Sequence, residues 1–251
     1  MNLRLLAIAV LVLGAPQDPP SPSPGTPGSL AGFGGQDTAS VSGTVTFKGG
    51  KPPRPRKLEL GGDAKCAALH DEPLFSEDAN IDKDGRVQWC FVYVKKGLEG
   101  RAYDAPKEAK PLDQKGCRFV PHVLGLMAGQ DLKIRNGDDL MHNVHAVPFT
   151  NAEFNFSQPK RGSETVKSFA SPEVPIKVKC DVHSWMSAWV CVVAHPFYAV
   201  TGADGAFGLK DLSPGKYTVA VWHESFGERT QEVEVKAGDA KTADFVFDKT
   251  K

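Results

Sequence analysis

The sequence lacks the marks of several large functional classes. Its 251 residues hold 30 Lys and Arg against 30 Asp and Glu, so the formal net charge is zero. A duplex or single-strand reader needs a basic face to neutralise phosphates, and no such excess exists. No apolar run is long enough to cross a bilayer as a permanent helix. Neither a phosphate-cradling Gly-x-x-x-x-Gly-Lys loop nor a Gly-x-Ser-x-Gly nucleophile elbow occurs. Convincing 3.6-residue periodicity is missing from the chain after Val41, apart from a possible short helical turn within 62–76. Cysteine is scarce and odd in number: Cys66, Cys90, Cys117, Cys180 and Cys191. An oxidising compartment would pair four of these at most and leave one over.

The segments that are present divide the chain. Residues 1–15 read as a signal peptide: Arg4 is the positive flank, Leu5–Leu13 the apolar run, and Gly14 and Ala15 the small residues before cleavage. The expected localisation is periplasmic or secreted. Residues 16–39 carry Pro16, Pro19, Pro20, Pro22, Pro24 and Pro27, and too little apolar surface to offset ordering, so they read as a disordered linker. Beyond it, Val41–Phe47, Val87–Val94, Asp131–Arg135, Val174–Cys180 and Ala188–Val193 have strand patterns. After Val200 the strands shorten. Asp204-Gly205 gives a hairpin signal, Ser213-Pro214-Gly215 a turn, and Tyr217–Val221, Glu232–Val235 and Phe245–Phe247 read as further strands. The expected class is all-β: a Greek-key β-sandwich at 40–196 with an N-terminal extension, and a smaller β-sandwich region at 197–251.

The chemistry concentrates in Cys180-Asp-Val-His183-Ser-Trp-Met186. A thiol, an imidazole and a thioether stand three residues apart each, and a strand feeding a tight loop turns them to one point. Thiolate and thioether are soft donors, and two His, one Cys and a weak axial Met describe an electron-transfer copper site, whereas structural zinc takes Cys and His without Met. A second His comes from Asn136-Gly-Asp-Asp-Leu-Met-His142-Asn143. Here the pair of segments resembles the cupredoxin family of blue copper proteins: a strand ending in Arg135-Asn136, then His142-Asn143-Val144, then a Cys, His, Met loop with the spacing of its short-loop members. The resemblance implies one mononuclear type 1 copper ion held by His142, Cys180, His183 and Met186. It also implies an exposed His183 ring at the protein edge, Asn143 tying the two ligand segments, Trp185 covering the site, and redox protein partners. His145 falls on the opposite face of an extended segment from His142 and is not a ligand. A second resemblance, to the carboxypeptidase regulatory-like, transthyretin-type β-sandwich, rests on Asp204-Gly-Ala-Phe207, Leu212–Tyr217 and Val221-Trp-His-Glu224.

Of the remaining cysteines, the expected bridges are Cys66–Cys117 and Cys90–Cys191, although spacing alone leaves the connectivity open. His122, His195 and His223 read as packed or exposed rather than ligating, and His70 as a weak partner for Cys66. Four functions compete, and one of them, a copper oxidase or reductase, would need repeated His-x-His pairs or a second copper motif, neither of which occurs in the sequence. An exported carrier of single electrons, not an enzyme, fits four protein ligands that leave copper no open position. A copper carrier would favour Met-rich or His-rich tracts, yet Met occurs only 4 times, Met1 included. A metal-free interaction module remains if the donors are ordinary core.

Overall fold

The computed structural model describes residues 38–60 and 62–248. The signal peptide and nearly all of the linker expected at 1–39 lie outside the described residues. Seventeen strands and one short helix lie among those residues: β1 (Ala39–Phe47), α1 (Ala64–Ala67), β2 (Phe91–Lys96), β3 (Lys110–Gln114), β4 (Phe119–Val120), β5 (Val123–Met127), β6 (Asp131–Asn136), β7 (His142–Val147), β8 (Phe154–Gln158), β9 (Glu164–Ser168), β10 (Glu173–Lys179), β11 (Ser187–Val193), β12 (Tyr198–Val200), β13 (Ala206–Leu212), β14 (Gly215–His223), β15 (Gly227–Val235), β16 (Ala240–Thr242) and β17 (Phe245–Phe247). The protein is all-β, as its patterns predict. No helix among the described residues is long and apolar enough to cross a membrane.

Four sheets form two sandwiches. In the first, the order β5-β11-β10-β7-β8 faces β4-β3-β6-β9. Its core includes Leu112, Phe119, Leu132, Ile134, Ile176 and Val190. In the second, β12-β2-β14-β15 faces a sheet in which β1 pairs with β13, β16 and β17, around Val45, Val92, Phe207, Val219 and Phe247. A third apolar layer, with Phe91, Tyr93, Val123, Cys191, Val193 and Ala220, packs the five-stranded sheet against β2 and β14. This layering explains the unbroken apolar runs in the sequence. Successive strand residues face opposite sides, and β11 sends Val190 and Val192 into one core and Cys191 and Val193 into the other. Likewise β2 sends Val92 and Val94 one way and Phe91 and Tyr93 the other. Gly125 on β5 permits this contact, because a Cβ there would lie 2.6 Å from the rings of both Phe91 and Tyr198.

The pairing corrects three expectations. The boundary between residues 196 and 197 does not separate the bodies: β1 and β2, expected as an extension of the first sandwich, hydrogen-bond to strands after residue 197. The Asp204-Gly205 turn exists, with Gly205 at φ +66, but β12 pairs with β2 and β13 with β1, so it links two sheets rather than closing a hairpin. The run Val87–Val94 becomes a strand only from Phe91, after Trp89 turns the chain at φ 65. A period-two pattern sets which face a residue takes but carries no information on which strand lies beside it.

Candidate metal centre

Two loops at one end of the first sandwich carry the candidate ligands. β6 ends at buried Asn136, whose Nδ2 donates to the carbonyls of Leu140 (2.8 Å) and Gln158 (3.0 Å) and whose Oδ1 accepts from the Asp138 amide (2.9 Å). These bonds fold the five residues before β7 into a tight loop and deliver His142 as the first residue of that strand. The second loop joins β10 to β11. The Cys180 amide donates to the Met186 carbonyl (3.1 Å) and the Met186 amide to the His183 carbonyl (2.9 Å), which closes the loop on itself. Asn143 holds the loops together: its Oδ1 accepts from the Asp181 amide at 3.0 Å, and its Nδ2 donates to Asn155 Oδ1 at 2.6 Å and the Phe156 carbonyl at 3.2 Å.

One donor atom from each of His142, Cys180 and His183 lies within 4.8 Å of the others, and all three residues are buried. The two Nδ1 atoms are 3.2 Å apart, and Cys180 Sγ is 3.7 Å from His183 Nδ1. The sulfur accepts hydrogen bonds from the amides of Asn143 and His183, each at 3.4 Å. Burial alone would raise the Cys180 thiol, but the His142 imidazole and the Asn143, His183 and Val182 amides bring it down to about 6, so the thiolate dominates at neutral pH. His142 is held above its ordinary value: burial pushes it down, while Asp138 and Cys180 more than compensate. Met186 is buried in the same core, and Trp185 packs its ring 5.2 Å from that of His183 while its Nε1 donates to the Cys117 carbonyl at 3.1 Å.

The far nitrogens of both rings meet carboxylates. His142 Nε2 lies 2.9 Å from Asp138 Oδ2, and His183 Nε2 lies 3.3 Å from Asp63 Oδ2. An imidazole that donates from Nε2 turns the Nδ1 lone pair the other way. With both Nε2 atoms turned to carboxylates, the two Nδ1 atoms and the Cys180 sulfur converge, and a cation held among them would balance the charge of the thiolate. Two imidazoles and a thiolate, with a buried methionine three residues beyond His183, are a donor set that suits copper.

Other expected residues lie elsewhere. His145 bonds Asp181 and Glu153, outside the cluster. His122 pairs with Glu224, His195 Nε2 bonds the Val94 carbonyl, and His70 Nε2 lies 2.9 Å from the Gly116 carbonyl rather than acting with Cys66. The Cys66–Cys117 disulfide is present, whereas Cys90 and Cys191 are free. They cannot pair because Cys90 faces the core of the second sandwich and Cys191 the layer between sandwiches. The expected exposed ring of His183 is in fact only 2% exposed, because Asp63 and α1 cover it. Asp138 had a trace in the sequence, four residues before His142. Asp63 had none, being 120 residues from the histidine it meets.

The carboxypeptidase regulatory-like domain model matches residues 187–248. No curated protein matches the sequence. Among solved structures, a Cu(I) form of an amicyanin variant is 21% identical with a TM-score of 0.30, over 34% of this chain and 81% of that one. A purple cupredoxin from Nitrosopumilus maritimus is 22% identical with a TM-score of 0.27, over 30% and 81%. A copper-containing nitrite reductase from Thermus scotoductus SA-01 is 20% identical with a TM-score of 0.31, over 40% of this chain and only 25% of its own. The chain is thus similar to cupredoxins over about a third of its length and to the carboxypeptidase regulatory-like domain at 187–248.

Proposed function

We propose that this chain is an exported type 1 copper protein that passes single electrons between redox protein partners, with His142, Cys180, His183 and Met186 as ligands. The observation that carries this reading is the convergence of two imidazole Nδ1 atoms on a thiolate at one buried point. A copper ion bound there would supply a one-electron Cu(II)/Cu(I) couple. The chain's own residues prepare the site for it. Asp138 and Asp63 orient the two rings, and the Asn143 and His183 amides stabilise negative charge on Cys180 Sγ. Trp185 and the surrounding core exclude water. Asn143 fixes one loop to the other, so the donors keep their places in both oxidation states. With Met186 as the fourth donor, a bound ion would have no position for a substrate, which favours a carrier over an enzyme. Export by residues 1–15 and tethering by 16–39 belong to the same proposal.

The test is the visible spectrum of the purified protein loaded with Cu(II), beside a Cys180→Ser variant. An intense thiolate-to-copper band that vanishes in the variant supports the reading. A colourless protein that still binds copper would point to a carrier of Cu(I), and one that binds none would leave a β-sandwich interaction module.

A further inference from the structure

The segment that covers His183 is fastened at three places. Asp63 is the N-cap of α1: its Oδ1 accepts from the amides of Lys65 (2.8 Å) and Cys66 (3.3 Å), and its Oδ2 faces His183 Nε2 at 3.3 Å. Cys66 is joined to Cys117. His70, at the end of the segment, meets the Gly116 carbonyl at 2.9 Å. The arrangement on the other side of the disulfide mirrors the first. The Cys117 amide donates to Asp138 Oδ2 at 2.8 Å and the Gly116 amide to Oδ1 at 2.8 Å, and that carboxylate meets His142 Nε2. The amide of each half-cystine therefore holds the carboxylate that its own imidazole contacts, and the sulfur bond ties the two carboxylates into one frame. Atoms of Asp63, Cys66 and His183 lie within 4.8 Å of one another, as do those of Cys117, Asp138 and His142.

We propose that residues 63–70 form a cap that closes the His183 edge to solvent and that Asp63 is a positioning residue. It fixes the His183 proton on Nε2 and makes the ring a stronger donor toward an ion held at Nδ1, with the Cys66–Cys117 disulfide as the clamp. The inference rests on the copper reading for its effect on the ion, but not for the closure of the edge. A hydrogen-bonded carboxylate strengthens an imidazole ligand and favours the more highly charged ion, so Asp63 lowers the reduction potential of the couple. The closed edge also directs electron exchange to another part of the surface.

Two measurements separate the claims. In the metal-free protein, diethyl pyrocarbonate acylates accessible imidazoles, and peptide mapping follows His183 alone. The wild type should resist at His183, and both Asp63→Ala and the Cys66→Ala/Cys117→Ala double variant should react at least about tenfold faster, since acylation of a buried ring follows the population of opened states and losing one charge-assisted hydrogen bond raises it by about that factor or more. Equal rates in all three would overturn the cap, provided the far-ultraviolet circular dichroism of each variant is that of the wild type; Asp63→Ala, which keeps the disulfide, serves if the double variant unfolds. In the copper-loaded protein, Asp63→Asn should retain the visible band and raise the potential by about 59 mV for each tenfold loss of Cu(II) over Cu(I) affinity. A retained band with an unchanged potential overturns the positioning role while leaving the copper reading intact. An absent band in the wild type overturns the copper reading, and the acylation rates then decide the cap by themselves.

Discussion

Asn143→Ala tests the claim that one side chain holds the two ligand loops in register. The amide is buried and makes three side-chain hydrogen bonds, at 2.6 and 3.2 Å from Nδ2 and 3.0 Å to Oδ1. Each contributes about 1 kcal/mol net, and the Asp181 amide and Phe156 carbonyl lose their partner on truncation, so the metal-free protein should lose about 2–4 kcal/mol. Urea unfolding measures this as a shift in midpoint at constant slope. The bond from the Asn143 amide to Cys180 Sγ is a backbone bond and survives, so the visible band should persist. Copper affinity should fall about 10–100-fold, because the Asp181–Met186 loop is no longer pinned. A double-mutant cycle with Asn155→Ala should give a coupling of about 1 kcal/mol, since Asn155 receives the shortest of the three bonds. A stability loss below about 0.5 kcal/mol with unchanged copper affinity would refute the reasoning, for it would mean that the loops hold their positions through backbone contacts alone.

Met186→Leu is nearly volume-conserving and should cost less than about 1.5 kcal/mol, while the band remains and the potential measured by redox titration rises as the axial donor is lost; a fall would remove Met186 from the ligand set. Gly125→Ala should lower the thermal midpoint of the metal-free protein by about 2–12 °C, from an overpacking cost of about 1–3 kcal/mol against Phe91 and Tyr198, without moving the copper spectrum, because that layer lies behind the ligand sheet. The buried His122–Glu224 pair sets a pH window. Burial alone would lower His122, but Glu224 holds it above 6.5, so its contribution is complete below pH 6.5 and lost as pH rises through the folded value. Burial alone would raise Glu224, yet His122 holds it below 4.5, so that contribution is present above pH 4.5 and lost as pH falls through the folded value. His122→Leu should therefore cost about 3–5 kcal/mol at pH 5.5 and less at pH 9. The comparison must be a difference between the two proteins. Neighbouring His223, pushed by burial down to about 4, costs both of them stability as pH falls below 6.5. A difference independent of pH would show that the pair is not ionised.

The sequence made the strands legible where one rule sufficed. Alternation located β1, β6, β10 and β14, and the unbroken run at β11 correctly implied burial on both faces. The spacing of Cys180, His183 and Met186, with His142 in its own segment, singled out residues of which three converge at one point. Long-range partnership was not legible. Nothing in Val41–Phe47 distinguishes a strand that pairs with β6 from one that pairs with β13 and β17, because the hydrogen-bonding groups are the same backbone atoms in either case. For the same reason the Cys90–Cys191 pairing failed: face is local information, but which core a face meets is decided by the stacking of whole sheets. The burial of His183 was missed because the carboxylate that covers it arrives from a segment with no periodic pattern.

The family-model match begins at Ser187, the first residue of β11, yet β11 lies between β5 and β10 in the five-stranded sheet of the first sandwich. The stretch that looks like a portable module therefore starts inside the first sandwich, and that module's own sandwich is completed by β1 and β2 from earlier in the chain. Severed after Pro196, the first part would keep β1 and β2 without the strands they pair with and would bare Trp189, Cys191 and Val193 to water. The second part would lose the central strand of its own sheet. The two sandwiches are interleaved in sequence, so neither piece keeps its own sheets when cut from the other, and each covers an apolar face of its companion.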